Sequence, residues 1–277
     1  MEFLLALPPA YLIINSFIFG VIIGSFLNVV LYRLHTGKSL SGHSHCMSCG
    51  KRLRAIELVP LFSYLALRGR CKGCQAAIPS RYFFVELMTG LLFVAVVATA
   101  EDLASLLFML VFTALLIVVA VYDYRHLIIP DDMVFLLTAV AVLQAGYLLL
   151  MSHDTLAFAL SFGAAFLGSI FFYSLWYMSA GKWIGFGDVK LAFPLGLMVG
   201  ATAVFSMIVL SFWVGAIVGL GILALQYGLR KWGRSGRFLK RKLTMKSALP
   251  FAPFLIVGFL IVYLAEVNVV SLLTYAF

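Results

Sequence analysis

The chain has 277 residues, of which 64% are hydrophobic and 11% charged, and its mean hydropathy is +1.08. This balance excludes a water-soluble domain, whose surface would be mostly apolar. The net charge of +9 would suit a nucleic-acid partner, but the basic residues stand between apolar runs of helix length, and we predict no such partner. The sequence therefore predicts an all-α, polytopic membrane protein in a lipid bilayer.

Seven apolar runs divide the chain, and the sixth is too long for a single crossing. As one helix, residues 191–227 would measure about 55 Å, whereas the hydrocarbon core of a bilayer is about 30 Å thick. We therefore predict that this run turns back near residues 200–202, which gives about eight transmembrane helices. The runs cover residues 9–32, 82–100, 103–122, 133–151, 155–178, 191–227 and 249–275.

All 20 lysine and arginine residues fall in four of the segments between these runs. Because cytoplasmic loops of membrane proteins are enriched in Lys and Arg, these segments are predicted to be cytoplasmic and the N-terminus external. This topology places Asp123 and Asp188 at the same, cytoplasmic, membrane face. The segment 228–248 holds no acid and is interpreted as a topology anchor on anionic lipid. The basic segments are 33–81, 123–132, 179–190 and 228–248.

The first predicted transmembrane helix, in residues 1–33, contains a polar side chain. Asn28 lies inside apolar sequence, where an amide needs a hydrogen-bonding partner. Two interpretations are open: a hydrogen bond between helices, or a contact with substrate near the cytoplasmic end. Gly24 and Ser25, one turn earlier, are small enough for close helix packing.

Residues 34–81 form the largest segment outside the apolar runs and contain all four cysteines, so we predict a small cytoplasmic insertion. The cysteines form two C-x-x-C pairs separated by 21 residues, close to the spacing of two-knuckle zinc sites. Four thiolates suit one structural zinc ion per chain, whereas disulfides are disfavoured in a reducing cytoplasm. A redox dithiol is the alternative, and His43 and His45 are interpreted as bystanders. The four cysteines are Cys46, Cys49, Cys71 and Cys74.

Further carboxylates stand inside or beside apolar runs. Glu86 lies one turn inside the second run, where a carboxylate is expensive unless it is paired or hydrated. It is therefore a functional candidate, with an ion pair to Arg81 or Arg125 as the alternative. Asp131 and Asp132 precede the fourth run, and at least one of them is predicted to be the N-cap of its helix.

Asp188 stands in a glycine-rich segment at the point where the chain re-enters apolar sequence. Gly185 and Gly187 flank it and predict a tight, adaptable turn, since glycine allows backbone conformations that other residues resist. Alternatively, Asp188 forms an ion pair with Lys190 and has only a structural role.

Two carboxylates at one membrane face can hydrolyse a peptide bond. When Asp123 and Asp188 are close, ionising both is costly, so they share a proton. The ionised group can activate water, while the protonated group polarises the carbonyl and later protonates the leaving amine. Serine hydrolysis lacks a histidine relay, and four cysteines would close a zinc site to catalysis.

The motifs, taken together and spread nearly end to end, resemble those of the type IV prepilin peptidases, also called leader peptidase/N-methyltransferases. Ala252 departs from the family, which usually has glycine there, and the start of the cysteine segment is diverged. The residues that carry the resemblance are 24–30, the two cysteine pairs, Arg81, Tyr82, Glu86, Asp123, 129–131, 185–190 and 250–254.

The resemblance implies that Asp123 and Asp188 are catalytic in a peptidase domain of residues 82–277, facing the cytoplasm in a bacterial inner membrane. The implied substrates are type IV prepilins and type II secretion pseudopilins, cleaved after glycine behind a short basic leader. Members with the cysteines also methylate the new N-terminal residue with S-adenosylmethionine, although no glycine-rich motif assigns that cofactor to particular residues. Asp131, Asp132, Glu57 and Glu86 could pair with the leader. The residues expected to bind or support substrate are Gly185, Gly187, Lys190, Glu86, Asn28 and Asp131.

Two other classes of function remain as alternatives. A transporter would use the aspartates to line a path, but it would need more polar residues deep in the spans than the sequence contains. A membrane thiol oxidoreductase would use the cysteine pairs as redox dithiols and bind no metal.

Overall fold

The computed structural model describes residues 8–34, 36, 39, 41–231 and 250–269. The chain forms two compact units, Met1–Val121 and Tyr122–Phe277. Over the described ranges it is helical, and the only strand-like pairing is two isolated β-bridges, His45 with Arg52 and Arg70 with Ala77. The helices are α1 (Pro9–Arg33), a 3₁₀ turn (Ala55–Leu58), α2 (Phe62–Ala66), α3 (Arg81–Thr99), α4 (Leu103–His126), α5 (Asp131–Ser152), α6 (Thr155–Met178), α7 (Phe186–Val199), α8 (Val204–Lys231) and α9 (Ala252–Ala265).

Eight of the helices correspond to the predicted transmembrane segments. Six of them, α1, α3, α4, α5, α6 and α8, are long and apolar enough to cross a bilayer. The other two, α7 and α9, have 14 residues each. The all-α, multi-pass architecture is confirmed.

The predicted fold-back in the long sixth run is also confirmed. Helix α7 ends at Val199 and α8 begins at Val204. Between them Gly200 has a φ of +76°, in the left-handed region that glycine adopts without steric cost. The first helix therefore ends at this glycine, and a new helix begins at Val204, so the long run is divided where its length predicted.

In the first unit, α1 packs closely against α3. A Cβ atom on Gly24 would lie 2.8 Å from the Cα atom of Glu86, so the prediction of close packing at Gly24 is confirmed. The Asn28 amide donates a hydrogen bond across the same pair of helices, 3.1 Å from the carbonyl oxygen of Tyr82. The interhelical interpretation of Asn28 is thus confirmed, and a contact with substrate stays a prediction.

In the second unit, α7 is the central element. Its Gly196 packs against α6, where a Cβ atom would lie 3.0 Å from the Cα atom of Ala165. The side chains of Leu191, Ala192 and Leu195 are fully buried. Helix α7 also packs against α5 and α9, and this packing fixes the position of Asp188 in its first turn. Of the predicted lipid anchor at 228–248, the first residues, 228–231, are the end of α8, and 232–248 lie outside the described residues.

Candidate active site and cysteine cluster

Asp123 lies in the last turn of α4, and only 5% of its surface is exposed. Its carboxylate accepts a hydrogen bond from the backbone N–H of Ala252, the first residue of α9. The first N–H groups of a helix have no partner within the helix and carry partial positive charge. The start of α9 therefore supplies a donor that orients the Asp123 carboxylate.

Asp188 is the third residue of α7 and is also 5% exposed. The backbone N–H of Gly185 donates to its Oδ2 atom at 3.2 Å. Its Oδ1 atom is buried and has no hydrogen-bond partner among the described residues. A buried polar atom without a partner is costly and rare, so this oxygen is available to a proton, a water molecule or a substrate.

The structure brings the two predicted carboxylates together. Asp123 and Asp188 are 65 positions apart in the sequence, yet the Asp123 carboxylate lies near enough for its charge to act on Asp188. Each accepts one backbone N–H from the first turn of a helix or from the residue that precedes it. The arrangement is a buried carboxylate pair that backbone donors hold in place, and its catalytic role stays a prediction.

The glycines beside Asp188 act differently from the predicted tight turn. Gly185 has a φ of −74° and a ψ of 149°, a conformation open to any residue, and Gly187 lies within α7. A Cβ atom on Gly187 would lie 2.9 Å from the Cβ atom of Ile129. The prediction of an unusual backbone was therefore wrong, and what Gly187 supplies is space for the segment that precedes α5.

Lys190 pairs with Asp131, and the alternative pairing with Asp188 is wrong. The Lys190 ammonium lies 2.8 Å from the Asp131 carboxylate and 5.1 Å from the centre of the Phe186 ring. The N-cap prediction for Asp131 or Asp132 is wrong as well, because Pro130 occupies the N-cap and the two acids follow it in the first turn of α5. Negative charge is favourable in a first helical turn.

Ala252 lies in a segment that carries the resemblance, but the sequence did not predict its hydrogen bond to Asp123. Pro250 and Pro253 stand on either side of it. In the structure, Phe251 is the N-cap of α9 and Pro253 follows as its second residue, where a missing N–H costs nothing. The prolines thus define a sharp helix start that leaves the Ala252 N–H free for Asp123. A proline-bounded helix start opposite a buried carboxylate is the signal that could have identified it.

Glu86 bonds to neutral groups and not to Arg81, one of the two arginines offered as alternative ion-pair partners. Its Oε2 atom accepts the backbone N–H of Leu61 at 2.8 Å, and its carboxylate also bonds to the Ser25 hydroxyl. Leu61 has a φ of +57°, which is unfavourable for a residue with a side chain. Glu86 therefore ties a strained loop of the cysteine insertion to α1 and α3.

Glu57 was predicted as a possible partner of a basic leader, but its carboxylate is engaged within the insertion. It accepts the Arg54 backbone N–H at 2.8 Å and lies 3.7 Å from the Lys51 ammonium. The Arg54 hydrogen bond, with the positive charge of Lys51, lowers the pKa of Glu57.

The four cysteines form the predicted cluster. Their Sγ atoms all lie within 4.8 Å of one another, and those of Cys46 and Cys74 are 3.8 Å apart. Tetrahedral zinc with Zn–S bonds of about 2.3 Å requires sulfur atoms about 3.8 Å apart, so the donor set fits this metal. His43 and His45 are not among the ligands of this cluster, which confirms their interpretation as bystanders within the described part of the chain.

The two cysteine pairs occupy similar turns. The Cys46 N–H bonds to the Lys51 carbonyl and the Cys71 N–H to the Ala76 carbonyl, both at 2.9 Å. The residue after each pair, Gly50 or Gln75, has a positive φ. Backbone N–H groups of each turn point at a sulfur, as Ser48 does at Cys46. The same hydrogen bond and the same backbone conformation therefore recur in both C-x-x-C turns.

The thiols of the cluster differ in pKa. Backbone N–H groups of Cys49 and Ser48 lower the pKa of Cys46 to about 6. At Cys74 the Ala76 N–H also favours the thiolate, but burial and the neighbouring thiols together raise the pKa to about 11. A cation among the four sulfurs would remove this conflict, because a metal-coordinated thiol is deprotonated.

Comparisons with known proteins agree with this architecture. Residues 18–100 match the model of the bacterial peptidase A24 N-terminal domain, and residues 110–220 match that of the type IV leader peptidase family. No solved structure matches the chain.

Curated relatives align over most of the chain and carry one name, prepilin leader peptidase/N-methyltransferase. The protein of Dichelobacter nodosus is 32% identical over 93% of both chains. That of Pseudomonas aeruginosa is 31% identical over 92% of this chain and 90% of its own. Fold and site define a multi-pass helical membrane protein with a buried carboxylate pair. The chain belongs to the type IV leader peptidase family, which confirms the resemblance found in the sequence.

Proposed function

We propose that the protein is an aspartic endopeptidase that removes the short basic leader of type IV prepilins and type II secretion pseudopilins, cutting after glycine. The observation that carries this proposal is the buried pair Asp123 and Asp188, with one Asp188 oxygen left without a partner. The names of the relatives support the substrate class. The transporter and oxidoreductase alternatives find no comparable support.

The proposed reaction uses one proton shared by the pair. The ionised carboxylate takes a proton from water, and the resulting hydroxide adds to the carbonyl carbon of the scissile bond. The protonated carboxylate donates its proton to the carbonyl oxygen, which gives a tetrahedral intermediate. When this intermediate collapses, the C–N bond breaks, the proton taken from water passes to the leaving amine, and a hydroxyl proton returns to the other carboxylate. The Ala252 and Gly185 N–H groups hold the two carboxylates in position for these transfers. Which carboxylate acts as the base is left open, because a coupled pair titrates as a unit.

The proposed setting is the cytoplasmic face of a bacterial inner membrane. There the positive leader of the substrate stays in the cytoplasm while the apolar segment behind it lies in the bilayer. The scissile bond then falls at the interface between the two, where the distribution of Lys and Arg places Asp123 and Asp188. In this proposal residues 1–33 anchor the chain, 34–81 form the metal-stabilised insertion and 82–277 the catalytic domain.

We further propose that the enzyme methylates the new N-terminal residue of the cleaved substrate, as the second half of the relatives' name suggests. S-adenosylmethionine would supply the methyl group. Zinc on Cys46, Cys49, Cys71 and Cys74 would have a structural role, since four thiolates fill a tetrahedral coordination sphere and leave no open position.

Mass spectrometry of a co-expressed pilin tests both activities in one spectrum. With the wild-type enzyme the pilin should lack its leader and carry an added methyl group at its new N-terminus. With Asp188→Asn it should retain the leader, while Asp154→Asn, which changes an exposed helix N-cap, should process normally. Removal of the leader by a membrane-inserted Asp188→Asn variant would overturn the proposed mechanism.

A further inference from the structure

An apolar groove runs along α6 and α8 in the second unit. It has a volume of about 530 Å³, within the range of ligand-binding clefts. Small residues, Ala164, Gly168 and Ala201, lie among its lining, and large side chains flank them. Among these, Phe205 and Trp213 are 57% and 58% exposed, so no described part of the chain covers them.

The lining suits a helix as the occupant. In a bilayer, helices gain little from the hydrophobic effect and associate where small residues allow close backbone approach. Ala164 and Ala201 are such residues in the lining, whereas the space at Gly168 is filled by α8 itself, since a Cβ atom there would lie 3.2 Å from Val204. From Val204 to Trp213 the groove extends about 14 Å along α8, which is between two and three helical turns.

One residue of the groove contacts the start of α9. Phe212, which lines the groove, lies 5.2 Å from Phe251 between ring centres. Phe251 directly precedes Ala252, whose N–H donates to Asp123. One aromatic contact and one peptide unit therefore connect the groove to the site.

We propose that this groove binds the apolar helical segment that follows the scissile bond of the substrate. The proposal rests on the proposed peptidase function and adds the surface that positions the substrate for it. A bound helix would run along α8 toward Val204, and its first residues would meet Phe251. Docking there would determine which peptide bond reaches Asp123 and Asp188. A lipid chain could fill the same volume, but the contact of the groove with Phe251, next to the carboxylate site, would then have no role.

Photocrosslinking in membranes that contain an uncut prepilin identifies the occupant. The photoreactive residue p-benzoylphenylalanine replaces Trp213 in the full chain with Asp188→Asn, and a control carries it at Phe135, which is 75% exposed and outside the groove. The expected result is a prepilin adduct from position 213 at several times the control yield, mapped to the segment behind the scissile bond. Adducts to lipid only, to residues 270–277 of the same chain, or at equal yields would overturn the proposal.

Filling the groove gives a kinetic test. Ala164→Trp should raise the KM for full-length prepilin about tenfold and change kcat less than twofold, because it removes binding shared by the ground and transition states. Gly163→Trp, on the same helix but facing open space, should leave both constants unchanged. If the wild type cleaves no prepilin, the proposed function fails. If it cleaves and Ala164→Trp has the same KM, only the groove proposal fails.

Discussion

The cysteine cluster and the carboxylate pair are assembled in opposite ways. Each cysteine pair is a local turn, held by hydrogen bonds between residues five positions apart, such as Cys46 and Lys51. Asp123 and Asp188 sit on different helices, α4 and α7. Asp123 accepts a backbone N–H from the start of a third helix, α9, whereas Asp188 accepts the N–H of Gly185 at the start of its own helix. The first site depends on a motif and a metal, while the second depends on how helices pack. Substitutions should therefore affect them separately.

The largest effect of a single substitution is expected at the cysteine cluster. Cys71→Ser should reduce bound zinc from about one per chain to nearly none, because structural zinc contributes on the order of 10 kcal/mol in comparable sites. Elemental analysis of the purified protein measures this, and His45→Ala should keep its metal. Since the cluster and the carboxylates are assembled independently, peptidase activity should fall far less than in an aspartate variant. A metal-free wild type with redox-active cysteine pairs would favour the oxidoreductase alternative.

At the carboxylate pair, activity should depend on how the surrounding helices pack. Gly187→Ala would press a methyl group against Ile129, and overpacking typically costs about 1–3 kcal/mol. Relief of that contact would displace the first turn of α7 and with it Asp188, so kcat should fall at least about tenfold. Gly163→Ala, which meets nothing within 4 Å, should leave activity unchanged. Equal activity of the two variants would show that the contact with Ile129 has no influence on the site.

A smaller effect is expected where the insertion meets the membrane helices. Glu86→Ala removes the acceptor for the Leu61 N–H and should cost about 1–3 kcal/mol, seen as a lower melting temperature. Glu86→Gln retains a carbonyl acceptor and should be close to wild type. Limited trypsin digestion at the exposed Arg68 and Arg70 should be faster in the alanine variant. If the glutamine variant is as unstable as the alanine variant, the negative charge itself is required.

The smallest effect is expected for the pair of Lys190 and Asp131. The Asp131 side chain is largely exposed, and exposed ion pairs contribute about 0–1 kcal/mol. A double-mutant cycle with alanine at each position should give a coupling energy in that range. A large fall in activity with unchanged stability would instead support the prediction that Lys190 or Asp131 contacts the substrate.

The same contrast explains what the sequence could predict. The cysteine cluster follows from spacing, and the fold-back at Gly200 follows from the length of an apolar run, so both were predicted from local patterns. The closeness of Asp123 and Asp188 was predicted from the side of the membrane that charged residues occupy and from the resemblance to a family. The contact of Gly187 with Ile129, the Ala252 donor and the Leu61 partner of Glu86 join distant positions through the backbone or through shape. No side-chain pattern encodes such contacts, so they became visible only in the folded chain.

The central claim, that Asp123 and Asp188 act as one catalytic pair, is tested most directly by comparing single and double variants. Cleavage rates of a prepilin are measured with Asp123→Asn, Asp188→Asn and the double variant at equal amounts in the membrane. If the two carboxylates work as a unit, each single variant should lose at least about 100-fold in rate, and the double variant should lose little more. A single variant that keeps most of its activity, or losses that multiply in the double variant, would contradict the claim.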